Sequence, residues 1–184
     1  MISHPSPIAS PRRRRLLQAG AWLGLAGLAG PLAAAGLRER RLPLGNLHTG
    51  DGVDVVYWRN GRWRDAALER IHWVLRDHRS GAVSAMDRSL LDLLHALHVE
   101  LDASEPFGIV SGYRSPATNA MLRRNGSGVA RRSLHLEGRA ADLRLAGRNS
   151  AELRDAGRRL RLGGVGHYPR SGFVHVDTGR VRYW

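Results

Sequence analysis

The sequence predicts a single α+β domain in which helices flank a mostly antiparallel sheet. A length of 184 residues fits one domain, and 42% hydrophobic with 24% charged residues are the shares of an ordinary globular protein. Amphipathic helical patterns alternate with short strand-like runs along the chain, and the last runs are joined by short turns. The sequence contains no internal repeat and no sign of a second domain.

In the first half of this domain, a hairpin is expected to precede two helices. Val53–Trp58 is rich in β-branched and aromatic residues, and the Asn60-Gly61 turn that follows favours a hairpin. Apolar residues recur at helical spacing over Arg64–His78. Asp87 is a suitable N-cap for a second helix, which is expected to end near Val99.

In the second half, two helices are expected among several strands. Pro116 suits the first turn of a helix that ends near Arg124, and Ser150 is the expected N-cap of a helix that ends near Arg161. The predicted strands are Phe107–Val110, Arg139–Leu145, Val165–Tyr168, Phe173–Asp177 and Val181–Trp184. A tight turn at residues 169–172 makes two of these strands an antiparallel hairpin.

Residues 1–35 have the features of a secretory signal peptide. Arg12–Arg15 form a positively charged patch, and Leu16–Ala35 is an apolar segment that ends on three alanines. The arginines followed by leucines resemble the twin-arginine export signal. The alternative is an uncleaved anchor, which the many glycines disfavour. We therefore expect a periplasmic protein that meets the membrane only during export, with an irregular N-terminal arm at 36–50 and the folded domain at 51–184.

The composition excludes some functions and favours others. The chain has no cysteine, so disulfides and thiolate metal sites are excluded. Its net charge of +13 comes from 29 basic residues that are all arginine, which resembles a coding bias more than a phosphate-binding surface. Because no basic run alternates with aromatic residues, we expect no nucleic-acid partner. A basic surface suits an anionic polymer such as the peptides of a cell-wall glycan.

Three residues have the donor types and the order of a catalytic zinc site. His135 lies just before Gly138, where the chain can turn sharply, and strand alternation then brings Asp142 back beside it. His175 completes the group if its strand is a near neighbour. Three protein ligands leave a fourth position for water, as in catalytic zinc sites. The spacing alone leaves open that these are ordinary surface or core residues.

The same residues resemble a known family signature. Ser133–Asp142 resembles the SxHxxGxAxD signature of the zinc D-alanyl-D-alanine peptidase superfamily, which shares its fold with the hedgehog signalling domain. Ser111–Ser115 is similar to the SGYRS segment that precedes this signature. The tail, Gly163–Arg180, resembles the murein endopeptidase K branch. The resemblance covers most of residues 45–184 and implies a hedgehog-like, D,D-peptidase-like fold.

The resemblance implies roles for individual residues. It implies His135, Asp142 and His175 as ligands of Zn²⁺. It also implies that Arg114 faces the scissile carbonyl or a substrate carboxylate, for which a permanently charged guanidinium is suited. Ser133 and Tyr113 are further candidates for contact with substrate.

The sequence departs from the family pattern at the general base. One branch has a glutamate three residues before the last histidine, where this chain has Gly172, and another has a histidine two residues before it, where this chain has Phe173. Asp177 is our preferred candidate, because it lies on the same strand face as His175. It is alternatively an orienting partner of that ligand. His167 is the second candidate for the base.

We therefore predict a zinc metallopeptidase that hydrolyses amide bonds in the stem peptides or cross-links of peptidoglycan. The alternative is a zinc-containing module that binds the cell wall without catalysis, which the missing family base favours. The sequence does not identify the bond that is cut.

Overall fold

A single sheet of eight strands organises the part of the chain that the computed structural model describes, residues 39–126 and 128–184. The spatial order of the strands is β3-β2-β1-β4-β5-β7-β6-β8. The strands are β1 (Glu39–Asn46), β2 (Gly52–Arg59), β3 (Arg62–Trp63), β4 (Phe107–Ser111), β5 (Ala140–Leu145), β6 (Gly164–Tyr168), β7 (Phe173–Asp177) and β8 (Arg182–Tyr183). Two pairs are parallel, β1 with β4 and β6 with β8, and the others are antiparallel.

Four α-helices accompany the sheet: α1 (Asp65–Val74), α2 (Arg88–Glu100), α3 (Pro116–Arg124) and α4 (Ser150–Leu160). A short 3-10 helix, Leu134–Glu137, lies between α3 and β5. The predicted α+β class with a mostly antiparallel sheet is thus confirmed. The predicted export signal, residues 1–35, lies outside the described residues.

Residues 39–46 are the main correction to the predicted fold, because they belong to the sheet and not to an irregular arm. An inner strand usually excludes proline, since proline cannot donate a backbone hydrogen bond, yet β1 contains Pro43. In the structure β1 pairs with β4 only over Leu44–Asn46, so Pro43 needs no donor on that side. Burial of Leu42 and Leu44 on the core face holds this otherwise polar strand in place.

The predicted helices are found with small changes at their ends. α1 ends at Val74, before the predicted end at His78. Asp87 caps α2 as predicted, because its side chain accepts a hydrogen bond from the Ser89 backbone N–H at 2.8 Å. α4 is capped by Asn149 and not by Ser150, and Asn149 forms a capping box with Glu152.

The two faces of the sheet carry different chemistry at its centre. Every second side chain of β5 and β7 packs into the hydrophobic core. In β5 these residues include Leu143, and in β7 they include Val174. Asp142 and His175 alternate with them and point to the opposite face. Among residues 39–126 and 128–184, no helix is long and apolar enough to cross a membrane.

Candidate metal centre

A cluster of metal-ligating side chains lies on the face of the sheet opposite the core. One ligand atom from each of His135, Asp142 and His175 lies within 4.8 Å of the others. Asp142 stands directly opposite His175 in the antiparallel pair of β5 and β7. The Asp142 Oδ1 atom is 2.8 Å from His175 Nδ1 and 3.3 Å from His135 Nε2. The structure therefore brings together the three residues predicted as ligands, two of them by strand register.

His135 reaches this group from the 3-10 helix and the turn that ends it. Gly138 has φ +66°, and a Cβ atom at this position would lie 2.6 Å from the Ala85 carbonyl oxygen. The Gly138 carbonyl accepts a hydrogen bond from the Asp87 N–H at 2.9 Å. The turn is therefore both left-handed and tightly packed, which only glycine accommodates.

Each histidine donates its outer ring N–H to an acceptor, which fixes the nitrogen that faces the group. His135 Nδ1 lies 2.7 Å from the Gly112 carbonyl oxygen, and His175 Nε2 lies 2.9 Å from Asp177 Oδ2. His135 Nε2 and His175 Nδ1 are then the nitrogens that face Asp142, and a cation bound here would take the place of the proton between His175 Nδ1 and Asp142. Outer hydrogen bonds of this kind orient the histidine ligands of metal sites. Two imidazole nitrogens and a carboxylate oxygen that converge in this way fit a divalent cation.

The electrostatics of the group favour an ionised carboxylate. Burial by itself raises the pKa of Asp142, but His135 and His175 outweigh it and hold that pKa below its ordinary value. Burial lowers the pKa of His175, but hydrogen bonds to Asp142 and Asp177 outweigh it and raise that pKa. The Asp142 carboxylate is therefore in the charge state that a metal ligand needs.

Asp177 is a fully buried residue that holds His175 and does not face the cleft. Its carboxylate accepts two hydrogen bonds from the Arg182 guanidinium, at 3.0 and 2.7 Å, and others from the backbone N–H groups of Gly164 and Gly179. It contacts His175 at Nε2, on the far side of the ring from Asp142. This geometry argues against the predicted role of general base and fits the alternative of an orienting partner.

Asp177→Asn separates these two roles. Loss of the carboxylate charge beside His175 Nε2 is expected to weaken zinc binding by roughly 10–100-fold, because outer partners of metal ligands contribute that much affinity. Competition with a chromogenic chelator measures this change. An Asp177→Asn protein that binds zinc like the wild type but has lost turnover would restore Asp177 as the base.

His167 is not part of the cluster. It lies on β6 opposite Val174, so its side chain points toward α4 and away from His175. Its ring nitrogens contact Ser150 Oγ at 3.0 Å and Arg154 at 3.4 Å. The prediction of His167 as a base is therefore wrong, because strand alternation places it on the other face of the sheet.

Arg114 is a buried cation at the edge of the cluster. It is 8% exposed, and one of its terminal nitrogens lies 3.7 Å from Asp142 Oδ2. The same nitrogen donates to Ser111 Oγ at 3.4 Å, whereas Arg114 Nε has no hydrogen-bond partner among the described residues. Burial lowers the pKa of Arg114, yet a guanidinium stays charged. Because Arg114 lines the cleft and its terminal nitrogens make only the hydrogen bond to Ser111 among the described residues, it keeps hydrogen-bonding capacity, which the predicted role toward an anionic oxygen requires.

The loop that carries Arg114 is fixed by a residue that the sequence analysis missed. The buried Asp77 carboxylate accepts hydrogen bonds from the Ser115 N–H at 3.0 Å and from the Ser80 hydroxyl at 2.8 Å. Next to it, the Tyr113 N–H donates to the Leu75 carbonyl at 2.7 Å. No sequence signal marked this role, because Asp77 lies within the helix predicted for Arg64–His78, which in the structure ends at Val74.

Asp77→Ala is expected to lower the free energy of unfolding by about 1.5–3 kcal/mol at neutral pH, because buried donors lose a charged acceptor. Burial raises the pKa of Asp77, but hydrogen bonds from Thr118 and Ser115 outweigh it and hold the pKa below its ordinary value. The difference from wild type is therefore present at neutral pH and shrinks as the pH falls below about 4. Urea unfolding at several pH values measures it, with the exposed Glu69→Gln as control.

The metal-ligating group opens into a cleft of about 410 Å³. The residues that line it are Arg114, Gly128, Val129, Ala130, Arg132, Ser133, Leu134, His135, Asp142, Tyr168, Phe173, His175, Arg182 and Trp184. Ser133 lines the cleft, where contact with substrate stays a prediction, whereas Tyr113 packs against the hydrophobic core. No role was predicted for Tyr168, Arg182 or Trp184, of which only Tyr168 lies within the family-like tail Gly163–Arg180. A larger depression of about 580 Å³ near Arg40 lies apart from the metal-ligating group.

A group of three residues that could hold a metal ion, lining a cleft on the face of the sheet opposite the core, is the arrangement typical of catalytic metal sites in hydrolases. The family described as Peptidoglycan L,D-endopeptidase MepK, within the M15 peptidases, matches residues 34–184. The chain belongs to this family and is a peptidase. The family resemblance predicted from the signature residues is thereby confirmed.

Two relatives illustrate how far the likeness extends. The chain is 38% identical over 175 residues to the Peptidoglycan L,D-endopeptidase MepK of Escherichia coli (strain K12), covering 94% of this chain and 96% of that protein. It is 36% identical over 148 residues to the Probable peptidoglycan L,D-endopeptidase MepK of Haemophilus influenzae, covering 80% of each. The L-Ala D-Glu endopeptidase ChiX of Serratia marcescens aligns with a TM-score of 0.34 and 25% identity, over 41% of this chain and 62% of that one.

Proposed function

We propose that this peptidase is a zinc-dependent murein endopeptidase that hydrolyses an L,D amide bond in peptidoglycan stem peptides or their cross-links. The observation that carries the proposal is the open His-Asp-His group beside the buried cation Arg114, in a chain of the L,D-endopeptidase family. Two imidazoles and one carboxylate are a ligand set that suits Zn²⁺. A bound zinc ion supplies Lewis-acid activation of water and polarisation of the scissile carbonyl.

The residues of the chain perform the remaining tasks. His135, Asp142 and His175 hold the cation in a fixed position, and Asp177 keeps His175 in the tautomer that can bind it. Arg114 offers hydrogen bonds to the oxygen on which negative charge develops, or to a carboxylate of the stem peptide. Stabilisation of that charge is usually the largest single contribution to catalysis of this kind.

The charge of the cleft supports an anionic substrate. Arg114, Arg132 and Arg182 line it, and Arg182 is paired with Asp177. Apart from the ligand group, the described residues that line the cleft include no carboxylate. Stem peptides of peptidoglycan carry free carboxylates, so this charge distribution favours their binding.

We also propose that the protein acts in the periplasm, where its polymer lies. The arginine-rich, apolar residues 1–35 support export, and the family match begins at residue 34. Export by the twin-arginine route allows the domain to fold and bind its metal before it crosses the membrane. Peptidoglycan is the partner that this location and the family description favour.

The experiment is digestion of purified sacculi and defined cross-linked muropeptides, followed by mass spectrometry of the products. Zinc-loaded protein is expected to release peptides cut at an L,D bond, a chelator to stop the reaction, and added zinc to restore it. Unchanged muropeptides under zinc-replete conditions would reject the proposal. If such a protein still pelleted with sacculi, it would be the alternative, a wall-binding module without catalysis, which the cleft's lack of a separate carboxylate or imidazole favours.

A further inference from the structure

We propose that the Tyr168 hydroxyl donates a hydrogen bond to the substrate carbonyl oxygen on which charge develops, and that Trp184 holds Tyr168 in position for this. The inference rests on the proposed hydrolysis of an amide bond. It adds a catalytic residue, Tyr168, on the wall of the cleft formed by β6 and the end of β8. No role was assigned to either residue from the sequence.

Tyr168 is placed by the end of β6 on the same sheet face as the metal-ligating group. It follows Gly164 and Gly166 at alternate positions, and Gly166 stands opposite His175. Its ring stacks on Phe173 with centroids 4.6 Å apart and planes 17° apart. It is 39% exposed and lines the cleft together with Arg114 and the ligands. The aromatic ring is therefore packed on Phe173, and the residue as a whole borders the space for substrate.

Trp184 is fixed against the same wall by several contacts. Two backbone hydrogen bonds join Trp184 to β6. Its carbonyl accepts from the His167 N–H at 2.9 Å, and its N–H donates to the Val165 carbonyl at 3.3 Å. Gly166 leaves room for the indole, because a Cβ atom there would lie 2.5 Å from it. The indole centroid is 5.3 Å from the His175 ring. Trp184 therefore occupies a defined position next to a metal ligand.

The hydrogen bond between these residues sets the direction of the tyrosine proton. The Trp184 indole N–H lies 3.0 Å from Tyr168 Oη, and an indole N–H can only donate. Tyr168 accepts this hydrogen bond with its oxygen, so its own O–H is available to donate. Within residues 39–126 and 128–184, no acceptor takes that proton. A donor without a protein acceptor at the edge of the cleft is suited to a substrate oxygen.

The chemistry of the cleft agrees with this role. Outside the ligand group, its described lining offers donors, the arginines, Ser133 and Tyr168, but no carboxylate or imidazole. A substrate oxygen that gains negative charge is stabilised by several donors that are already in place. Arg114 and Tyr168 line the same cleft as the metal-ligating group, so both can serve a substrate bound there.

The test compares Tyr168→Phe with wild type on a defined cross-linked muropeptide. We expect kcat to fall roughly 100-fold with KM and zinc content unchanged, because a donor that acts on developing charge is lost. Trp184→Phe, which keeps an aromatic ring but loses the N–H, is expected to lower kcat in part with the same KM. Tyr183→Phe is the matched control, since the Tyr183 hydroxyl donates to the Arg158 carbonyl and does not line the cleft.

A Tyr168→Phe protein with kcat within twofold of wild type, or with a change confined to KM, would overturn the inference while the proposed function stands. Full activity in Trp184→Phe would remove Trp184 from it. Wild-type protein that leaves every muropeptide uncut would overturn both proposals. Zinc content and thermal melting are measured for each variant, so that a fall in kcat caused by misfolding counts against the inference.

Discussion

His175→Ala is expected to reduce turnover by more than about 10³-fold, together with loss of bound zinc. His175 donates one of the three ligand atoms, and its loss leaves only His135 and Asp142. Metal catalysis supplies several kcal/mol of transition-state stabilisation, and 1.4 kcal/mol corresponds to about a factor of ten in rate. Product release from muropeptides and zinc content by atomic emission measure the two effects.

The chain provides a matched control for this substitution. His167 lies one strand away, opposite the neighbouring Val174, but its side chain is on the other face of the sheet. We expect His167→Ala to keep zinc and to keep turnover within several-fold of wild type. A His175→Ala protein that holds one equivalent of zinc and cleaves at a tenth of the normal rate or faster would contradict the assignment of the metal centre.

Arg114→Lys is expected to lower kcat by roughly 100-fold without loss of zinc, because removal of a donor to the developing oxyanion costs about that much. Lysine keeps the positive charge but loses the planar fork that makes paired hydrogen bonds. Arg114 lines the cleft, and among the described residues its terminal nitrogens make only the 3.4 Å hydrogen bond to Ser111, so part of this fork is available to a ligand.

The control for Arg114 is Arg131→Lys, an exposed arginine that does not line the cleft. We expect it to leave kcat, KM and zinc content unchanged. If Arg114→Lys instead melts at a clearly lower temperature and recovers full kcat when assayed in the cold, Arg114 is an anchor of its loop and not a catalytic residue.

The parts of the site that the sequence could predict are those that follow from strand periodicity and from the signature. Alternation placed Asp142 on the face of its strand opposite Leu143, and the family resemblance implied that His175 joins it, which the pairing of β5 with β7 allows. The N-cap at Asp87 followed from residue type alone. These features are local or depend on one pair of strands, so the pattern of residue types along the sequence is enough to predict them.

The parts that the sequence could not predict depend on contacts between distant segments. The β1 strand looked irregular because a single buried row, Leu42 and Leu44, is a weak pattern, and its place between β2 and β4 is set by tertiary packing. Asp177 looked like a base because it shares a face with His175, but Arg182 and two backbone N–H groups enclose its carboxylate. Residue spacing does not show that Asp177 contacts His175 at Nε2, on the side of the ring away from Asp142.

Side chains along β5 and β7 alternate between the hydrophobic core and the metal-ligating group. Packing of the core residues therefore also fixes the positions of Asp142 and His175. A slip of one residue in either strand would turn Asp142 or His175 into the layer occupied by Leu143, Val174 and Val176. Such a slip would bury a charged group among aliphatic side chains and place valine beside the peptide to be cut, both at a cost in free energy. Burial of the aliphatic side chains of β5 and β7 therefore favours the strand register that places Asp142 beside His175. This register is favoured during folding whether or not a cation is bound.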